Sequence, residues 1–178
     1  MEYTLQLIEK NIPSVDKVLV LEGGQTRNET LMNAIKYIDS EGALNDETII
    51  VTHDAVRPFV TGRIINDNIE AMRTCDACDT VIPATDTIVE AVNGKIISNI
   101  PNRAYLYQGQ TPQTFKAKKL KEMYDKLTDQ EKEILTDAAK IFVIKGEDVY
   151  LVDGETYNIK ITYPYDLTVA EALLKNNA

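Results

Sequence analysis

An α/β domain, doubly wound around a mostly parallel sheet and carrying a protruding β-hairpin arm, is the architecture this sequence predicts. Helical and extended apolar patterns alternate along the first half of the chain, the arrangement that places crossover helices between strands running the same way. Further on, Asn93-Gly94 joins two extended runs, and both of these residues tolerate the positive φ that a tight hairpin turn demands. With 178 residues, 44% of them hydrophobic, and no repeat or linker, the chain reads as a single domain over residues 1–178.

Met1 to Asn11 reads as a helix with Leu5, Leu7 and Ile8 inward, closed by Pro13. Val15 to Leu21, VDKVLVL, reads as a largely buried strand ending at Glu22-Gly23-Gly24. Thr26-Arg27-Asn28-Glu29 is a capping-box pattern opening a helix in which Leu31, Ala34, Ile35 and Ile38 recur at helical spacing, with Gly42 as its stop. Thr48 to Thr52 is the next strand. A helix begun by Thr61 carries Ile64, Ile65, Ile69 and Met72 on one side, and Asp79 to Ile82 is a short buried strand. The segment 86–103 contains the two runs around Asn93-Gly94, apolar on both sides. Such a ribbon is either sandwiched by helices or embraces a second subunit, and we prefer the second reading.

From Tyr105, YLYQGQTPQTF is extended again, and a helix follows around Leu120, Met123, Tyr124 and Leu127. A second capping box, Thr128-Asp129-Gln130-Glu131, opens a helix that includes Ile134, Leu135 and Ala138. Val149 to Val152, a turn at Asp153-Gly154, and Tyr157 to Thr162 read as a hairpin. Pro164 then starts a terminal helix through Leu167, Ala170, Leu173 and Leu174.

A net charge of -9 argues against a surface that holds nucleic acid, because such binding needs clustered Lys and Arg. An anionic ligand must therefore be met by a few local cations. No apolar run is long enough to cross a bilayer, and MEYTLQLIEKNIP lacks the zones of a secretory signal, so the protein is expected in the cytoplasm and away from membranes. Cys75 and Cys78 form a C-x-x-C pair. With one His and no second cysteine pair, a four-ligand zinc site is hard to assemble in one chain, and the two are read as small packed side chains.

Polar constellations fall at element ends, where ligands collect beyond the carboxyl ends of parallel strands. Gly23-Gly24 lets a base or ribose approach the backbone closely. Asp54, at a strand tip, suits Mg2+, which takes one or two carboxylates with phosphate oxygens and water. Arg57 either pairs with Asp54 or binds a phosphate bidentately. His53 reads as a hydrogen-bonded structural residue. On spacing alone, Lys160 in NIKIT is a solvated outer-face lysine and Arg103 is surface decoration.

VTHDAVRPF, DTIVE, IPNR, YQGQTPQTF, LTDA and NIKITYPYDL, in this order, resemble the nucleotidyltransferases that make CDP-polyols. That family comprises the 2-C-methyl-D-erythritol 4-phosphate and ribitol-5-phosphate cytidylyltransferases, and the Val of HDAVRPF with LTDAAKI leans toward the ribitol enzymes. The resemblance implies a nucleotide-diphospho-sugar transferase-like fold, a homodimer built by the arm, and a reaction between CTP and a polyol phosphate that expels pyrophosphate. By position it implies that Gly24, Gln25, Thr30 and Ala55 bind the nucleotide and that Asp54 holds Mg2+. Thr87, Thr111 and Arg103 would meet the polyol phosphate, Arg103 from the partner's arm, while Arg57 lines the pocket and Lys160 reaches the α-phosphate. The family's opening strand and Gly-rich phosphate loop, on the order of sixty residues, have no counterpart here, so the expectation is an amino-terminally truncated domain. A non-catalytic fragment that keeps the arm is the alternative.

Overall fold

The computed structural model describes residues 2–12 and 17–176. Its centre is a four-stranded sheet in the order β1-β3-β2-β4, formed by β1 (Ile49–Thr52), β3 (Tyr107–Lys116), β2 (Ala77–Pro83) and β4 (Tyr150–Asp153). The expectation of a mostly parallel sheet is overturned. β3 runs antiparallel to both β1 and β2, and only the β2–β4 pairing is parallel. The physical reason is an insertion. β1, β2 and β4 do share a direction, as helix–strand alternation requires, but β3 enters between β1 and β2 in the opposite sense and separates the two that the alternation would have paired.

Seven helices accompany the sheet among the described residues: α1 (Glu2–Asn11), α2 (Arg27–Ser40), α3 (Gly62–Ala71), α4 (Ala117–Asp125), α5 (Asp129–Glu133), α6 (Ala139–Ile144) and α7 (Pro164–Asn176). Both capping boxes form: the Thr26 and Thr128 hydroxyls accept from the amides of Glu29 and Glu131, whose carboxylates reach back to the cap amides. Thr61 caps α3 through its hydroxyl alone, which accepts from the Ile64 amide. α2 ends just before Gly42, whose φ of 69° supplies the left-handed exit.

Strand alternation divides the interior in two. On one face Phe115 and Ala77 pack with Met32 and Ile35 of α2, Leu120 and Met123 of α4, and Ile141 and Phe142 of α6. Phe115 and Phe142 stack with ring centroids 5.5 Å apart. On the other face Cys78 and Val152 meet Met72 just beyond α3. Asn68 of α3 is fully buried there; its amide donates to the Thr80 hydroxyl at 2.9 Å and its carbonyl accepts from Thr114 at 3.2 Å. Cys75 donates to the Ala71 carbonyl, and burial pushes the Cys78 thiol up to about 12, so neither cysteine offers a thiolate at neutral pH.

Several other expected elements differ. Pro13, the expected helix stop, and the first two residues of the expected strand at 15–21 lie outside the described residues. From Val18 to Leu21 there is no strand; Leu19 is 57% exposed, and no described segment lies alongside to complete a ladder. The ribbon at 86–103 is a loop closed by one bridge, Glu90 to Asn99, with Gly94 at φ 70° in its turn. A two-stranded ribbon with no third surface to cover it is marginal. The hairpin expected at 149–162 keeps only β4, because Asn158 is drawn into the interior and holds its segment out of the sheet. The helix expected after Thr128 breaks at Ile134 and resumes as α6, and Asp137 caps the resumption by accepting from the Lys140 amide at 3.0 Å.

Candidate active site

β1 stops at Thr52, opposite Gln113, whereas β3 extends to Tyr107. The uncovered stretch of β3 forms the floor of a cleft beyond the carboxyl end of β1. Pro112 lies in that stretch and, with no N–H, gives the ladder no donor, while its carbonyl accepts from the Thr80 hydroxyl at 2.6 Å; the β2–β3 register slips between Asp79 and Val81 at this level.

The chain leaving β1 folds across this floor as a turn, with the Arg57 amide donating to the Asp54 carbonyl at 2.9 Å. Side chains fix it. The Asp54 amide donates to the Thr111 hydroxyl oxygen at 3.1 Å, and that hydroxyl meets His53 Nδ1 at 2.9 Å. His53 Nε2 lies 2.9 Å from the Arg57 carbonyl, which can only accept, so the ring proton sits on Nε2 and Nδ1 takes the Thr111 hydroxyl proton. His53 is thus a brace for the turn.

Three cations surround the Asp54 carboxylate. Arg27 Nη2 lies 3.2 Å from Oδ1, Lys160 Nζ 3.3 Å from Oδ2, and Arg57 Nε 3.8 Å from Oδ2. Burial pushes the Asp54 carboxyl up, but Arg27 and Lys160 together outweigh it and hold the group below the ordinary carboxylate range. Arg57 is largely buried, and its terminal nitrogens are spent on the carbonyls of Asn158 at 2.8 Å and Gly109 at 3.4 Å. Arg27 and Lys160 are much more exposed.

Lys160 reaches the cluster because its segment is pinned rather than stranded. Asn158, fully buried, donates to Gln110 Oε1 at 3.1 Å and to the Thr111 carbonyl at 2.9 Å, and the Ile161 amide bonds the Val56 carbonyl. Two adjoining cavities of about 190 and 210 Å3 share Arg57, Gly109, Gln110 and Lys160. A larger concavity of about 730 Å3 lies at the opposite end of the sheet, lined by Ile49, Tyr150 and mixed charges. Apart from Cys75 it holds none of the candidate residues singled out from the sequence, whereas the smaller pair gathers Asp54, Arg57, Thr111 and Lys160, so the smaller pair is the candidate site.

The Gly23-Gly24 loop enters α2 beside Arg27. The Gly24 amide donates to the Thr30 hydroxyl oxygen at 2.9 Å, and the Gln25 amide donates to the Glu29 carboxylate at 2.6 Å. A side chain at Gly24 would strike the Cβ of Glu29 and come within 2.9 Å of its carbonyl carbon. Gly24→Ala is therefore expected to lower stability by about 1–3 kcal/mol, as other overpacked sites do. An unchanged urea midpoint would contradict this.

Of the residues expected at the site, Asp54, Arg57, Thr111 and Lys160 line the two cavities, Ala55 follows Asp54 in the turn, and Gly24, Gln25 and Thr30 stand at the start of α2 near Arg27 but line neither cavity. Thr87 and Arg103 do not line the cleft: Thr87 is exposed, and Arg103 donates to the Thr85 carbonyl at 2.6 Å at the root of the 86–103 loop. Four residues given no individual role from the sequence also gather here. Arg27 and Gln113 stand within motifs, Asp137 comes from LTDA at the α5–α6 break, and Asp79 lies on β2 facing Gln113. An acid inside an apolar strand is the signal that would have marked Asp79.

Burial pushes the Asp79 carboxyl up to about 6; Asp137 adds to the rise, while Gln113 and Arg27 oppose it. A carboxyl with a raised folded pKa holds its proton more tightly in the folded protein. Its effect is therefore most favourable below about pH 4, worsens as pH rises toward about 6, and stays unfavourable above that. Asp79→Asn is expected to unfold at a higher urea concentration than the native protein at neutral pH and to lose this part of the acid-side dependence. Equal midpoints at neutral pH would show that Asp79 carries no such penalty.

The family described as IspD, 2-C-methyl-D-erythritol 4-phosphate cytidylyltransferase, matches residues 2–176. The ribitol-5-phosphate cytidylyltransferase of Streptococcus pneumoniae is 51% identical over 172 residues, covering 96% of this chain and 73% of that protein. Among solved structures, the 4-diphosphocytidyl-2C-methyl-D-erythritol synthase of Anaerococcus prevotii superimposes with a TM-score of 0.78 at 28% identity, over 98% of this chain and 77% of that one. The 2-C-methyl-D-erythritol 4-phosphate cytidylyltransferase of Francisella tularensis gives 0.79 at 28% identity, over 88% and 71%.

Proposed function

This chain belongs to the 2-C-methyl-D-erythritol 4-phosphate cytidylyltransferase family, and from that premise we propose that it joins CTP to D-ribitol 5-phosphate, releasing CDP-ribitol and pyrophosphate. The observation that carries the reading is the meeting of Arg27, Asp54, Arg57 and Lys160, drawn from distant parts of the sequence, at two adjoining cavities. A two-substrate phosphate chemistry needs such a cluster. A phosphate oxygen of the polyol forms a bond to the α-phosphorus of CTP while the bond to the β-phosphate oxygen breaks, and the work of the protein is positioning and neutralising charge.

The cations come with their own reserve. In the free protein Arg27 and Lys160 are held by Asp54, and an arriving triphosphate competes for both. Lys160, half-exposed and shared by the two cavities, is the group suited to the charge that builds on the α-phosphoryl oxygens. Arg57, with its terminal nitrogens donating to the carbonyls of Asn158 and Gly109, keeps the turn and the Lys160 segment together. Gly24, Gln25, Thr30 and Ala55 are proposed for the nucleotide, and Thr111 for the polyol phosphate.

No cluster of three His, Cys, Asp or Glu side chains suited to a metal occurs among the described residues, so any Mg2+ is held by few protein ligands. Asp54 fits that case: one carboxylate, at present shared by cations that phosphate would draw off, with phosphate oxygens and water completing the shell. When bound, the ion supplies further neutralisation of the triphosphate.

The 86–103 loop exposes Val92, Ile96, Ile97 and Ile100, at 94%, 69%, 55% and 57%. A second copy of the chain is proposed to cover them and to receive Thr87 and Arg103 at its own site. Sedimentation velocity would show a dimer; a lone monomer at micromolar concentration would remove this part of the proposal. The reaction is tested by pyrophosphate release from CTP and Mg2+ with D-ribitol 5-phosphate and, separately, 2-C-methyl-D-erythritol 4-phosphate. Release with the second alone would reassign the acceptor, and silence with both would end the catalytic reading.

A further inference from the structure

Asp79 is costly where it stands. Its Oδ1 is buried with no hydrogen-bond partner, and burial, with the charge of Asp137 adding to it, makes its carboxyl resist ionisation. A buried acid that weakens the fold at neutral pH is best understood through what it holds.

Opposite it across β2–β3 stands Gln113, buried at 2% exposure with its side chain on the same face of the sheet, and Gln113 draws the Asp79 carboxyl down against the effect of burial. A carboxylate accepts and a guanidinium donates, so a carboxamide between them has one orientation: nitrogen toward Asp79, oxygen toward Arg27. Gln113 Oε1 does lie 3.5 Å from Arg27 Nη1, while Arg27 Nη2 lies 3.2 Å from Asp54. The arginine is therefore gripped at two points, one of which, Asp54, is a group that substrate and metal would engage.

We propose that Asp79 is a positioning residue that, by orienting the Gln113 carboxamide, keeps Arg27 over the cleft to receive a substrate phosphate once Asp54 releases it. The idea rests on the functional reading above, in which phosphates enter this cleft. It gives Arg27 a role in binding, and it gives the cost at Asp79 a purpose. The phosphate is that of CTP or of the polyol, and the test separates the two.

The test is calorimetric titration of the full chain with Mg2+-CTP and with D-ribitol 5-phosphate separately, for the native protein, Asp79→Asn, Arg27→Ala and the double variant. Asp79→Asn is expected to weaken one ligand by roughly five- to tenfold, the size of a coupling passed through one hydrogen-bonded neighbour. Arg27→Ala should weaken the same ligand at least as much, and the double variant no further. In turnover, KM for that ligand should rise while kcat stays within about twofold. Asp79→Asn binding both ligands as the native protein does, or effects of the two substitutions that simply add, would overturn the positioning role alone. A native protein that binds neither ligand overturns the functional reading and this role with it. Should Asp79→Asn fold poorly, Asp79→Ser poses the same question.

Discussion

Lys160→Ala is expected to lower kcat by about 100- to 1,000-fold with the fold intact, the loss found when one preorganised donor to a developing oxyanion is removed. Its side chain is half-exposed and makes a single ion pair, to Asp54, so its removal costs the native structure little. KM for CTP should change much less than kcat, because the ammonium is asked to act where charge increases during the reaction and not where it is already present. Lys160→Arg should restore part of the rate through its retained charge. A Lys160→Ala protein with native kcat would mean that the α-phosphoryl group lies elsewhere and that the Asp54–Lys160 pair is an ordinary surface contact.

Phe115→Ala is expected to cost about 3–5 kcal/mol of folding stability, the range for removing a large side chain from a packed core. Phe115 is fully buried and stacks on Phe142 at the point where α4 and α6 cover the sheet. A domain of this size is stable by about 5–15 kcal/mol, so the substitution consumes a large part of the margin. The same strand carries Thr111 and Gln113 into the cleft, and activity should therefore fall with the folded fraction as temperature rises. Urea unfolding would decide the matter; a loss under about 1 kcal/mol would place the ring outside the cooperative core.

How much of this could be read from the chain depends on the range of the interaction. Thr26-Glu29 and Thr128-Glu131 act across three residues, and both boxes form as written. The turn from Asp54 to Arg57 is equally local, and its place at the end of a strand follows from VTHDAVRPF. Lys160 was legible only by resemblance, since its neighbours suggest a solvated strand residue. What turns it inward is Asn158, whose partners Gln110 and Thr111 lie nearly fifty positions earlier. The direction of β3 was not legible either. An extended run looks the same whichever way it enters a sheet, and only its pairing with β1 and β2 decides. VDKVLVL shows the converse: an apolar run with strand character stays irregular over its described part where no neighbour completes it.

The insertion of β3 between β1 and β2 also sets an order of assembly. Until a ribosome has delivered β3, β1 and β2 exist as separate apolar segments with no rung between them, and the Asp54 turn has no Thr111 to rest on. The cleft is therefore born late, from contacts spanning some sixty positions, and nascent chains halted before β3 should expose sticky strand edges that recruit chaperones.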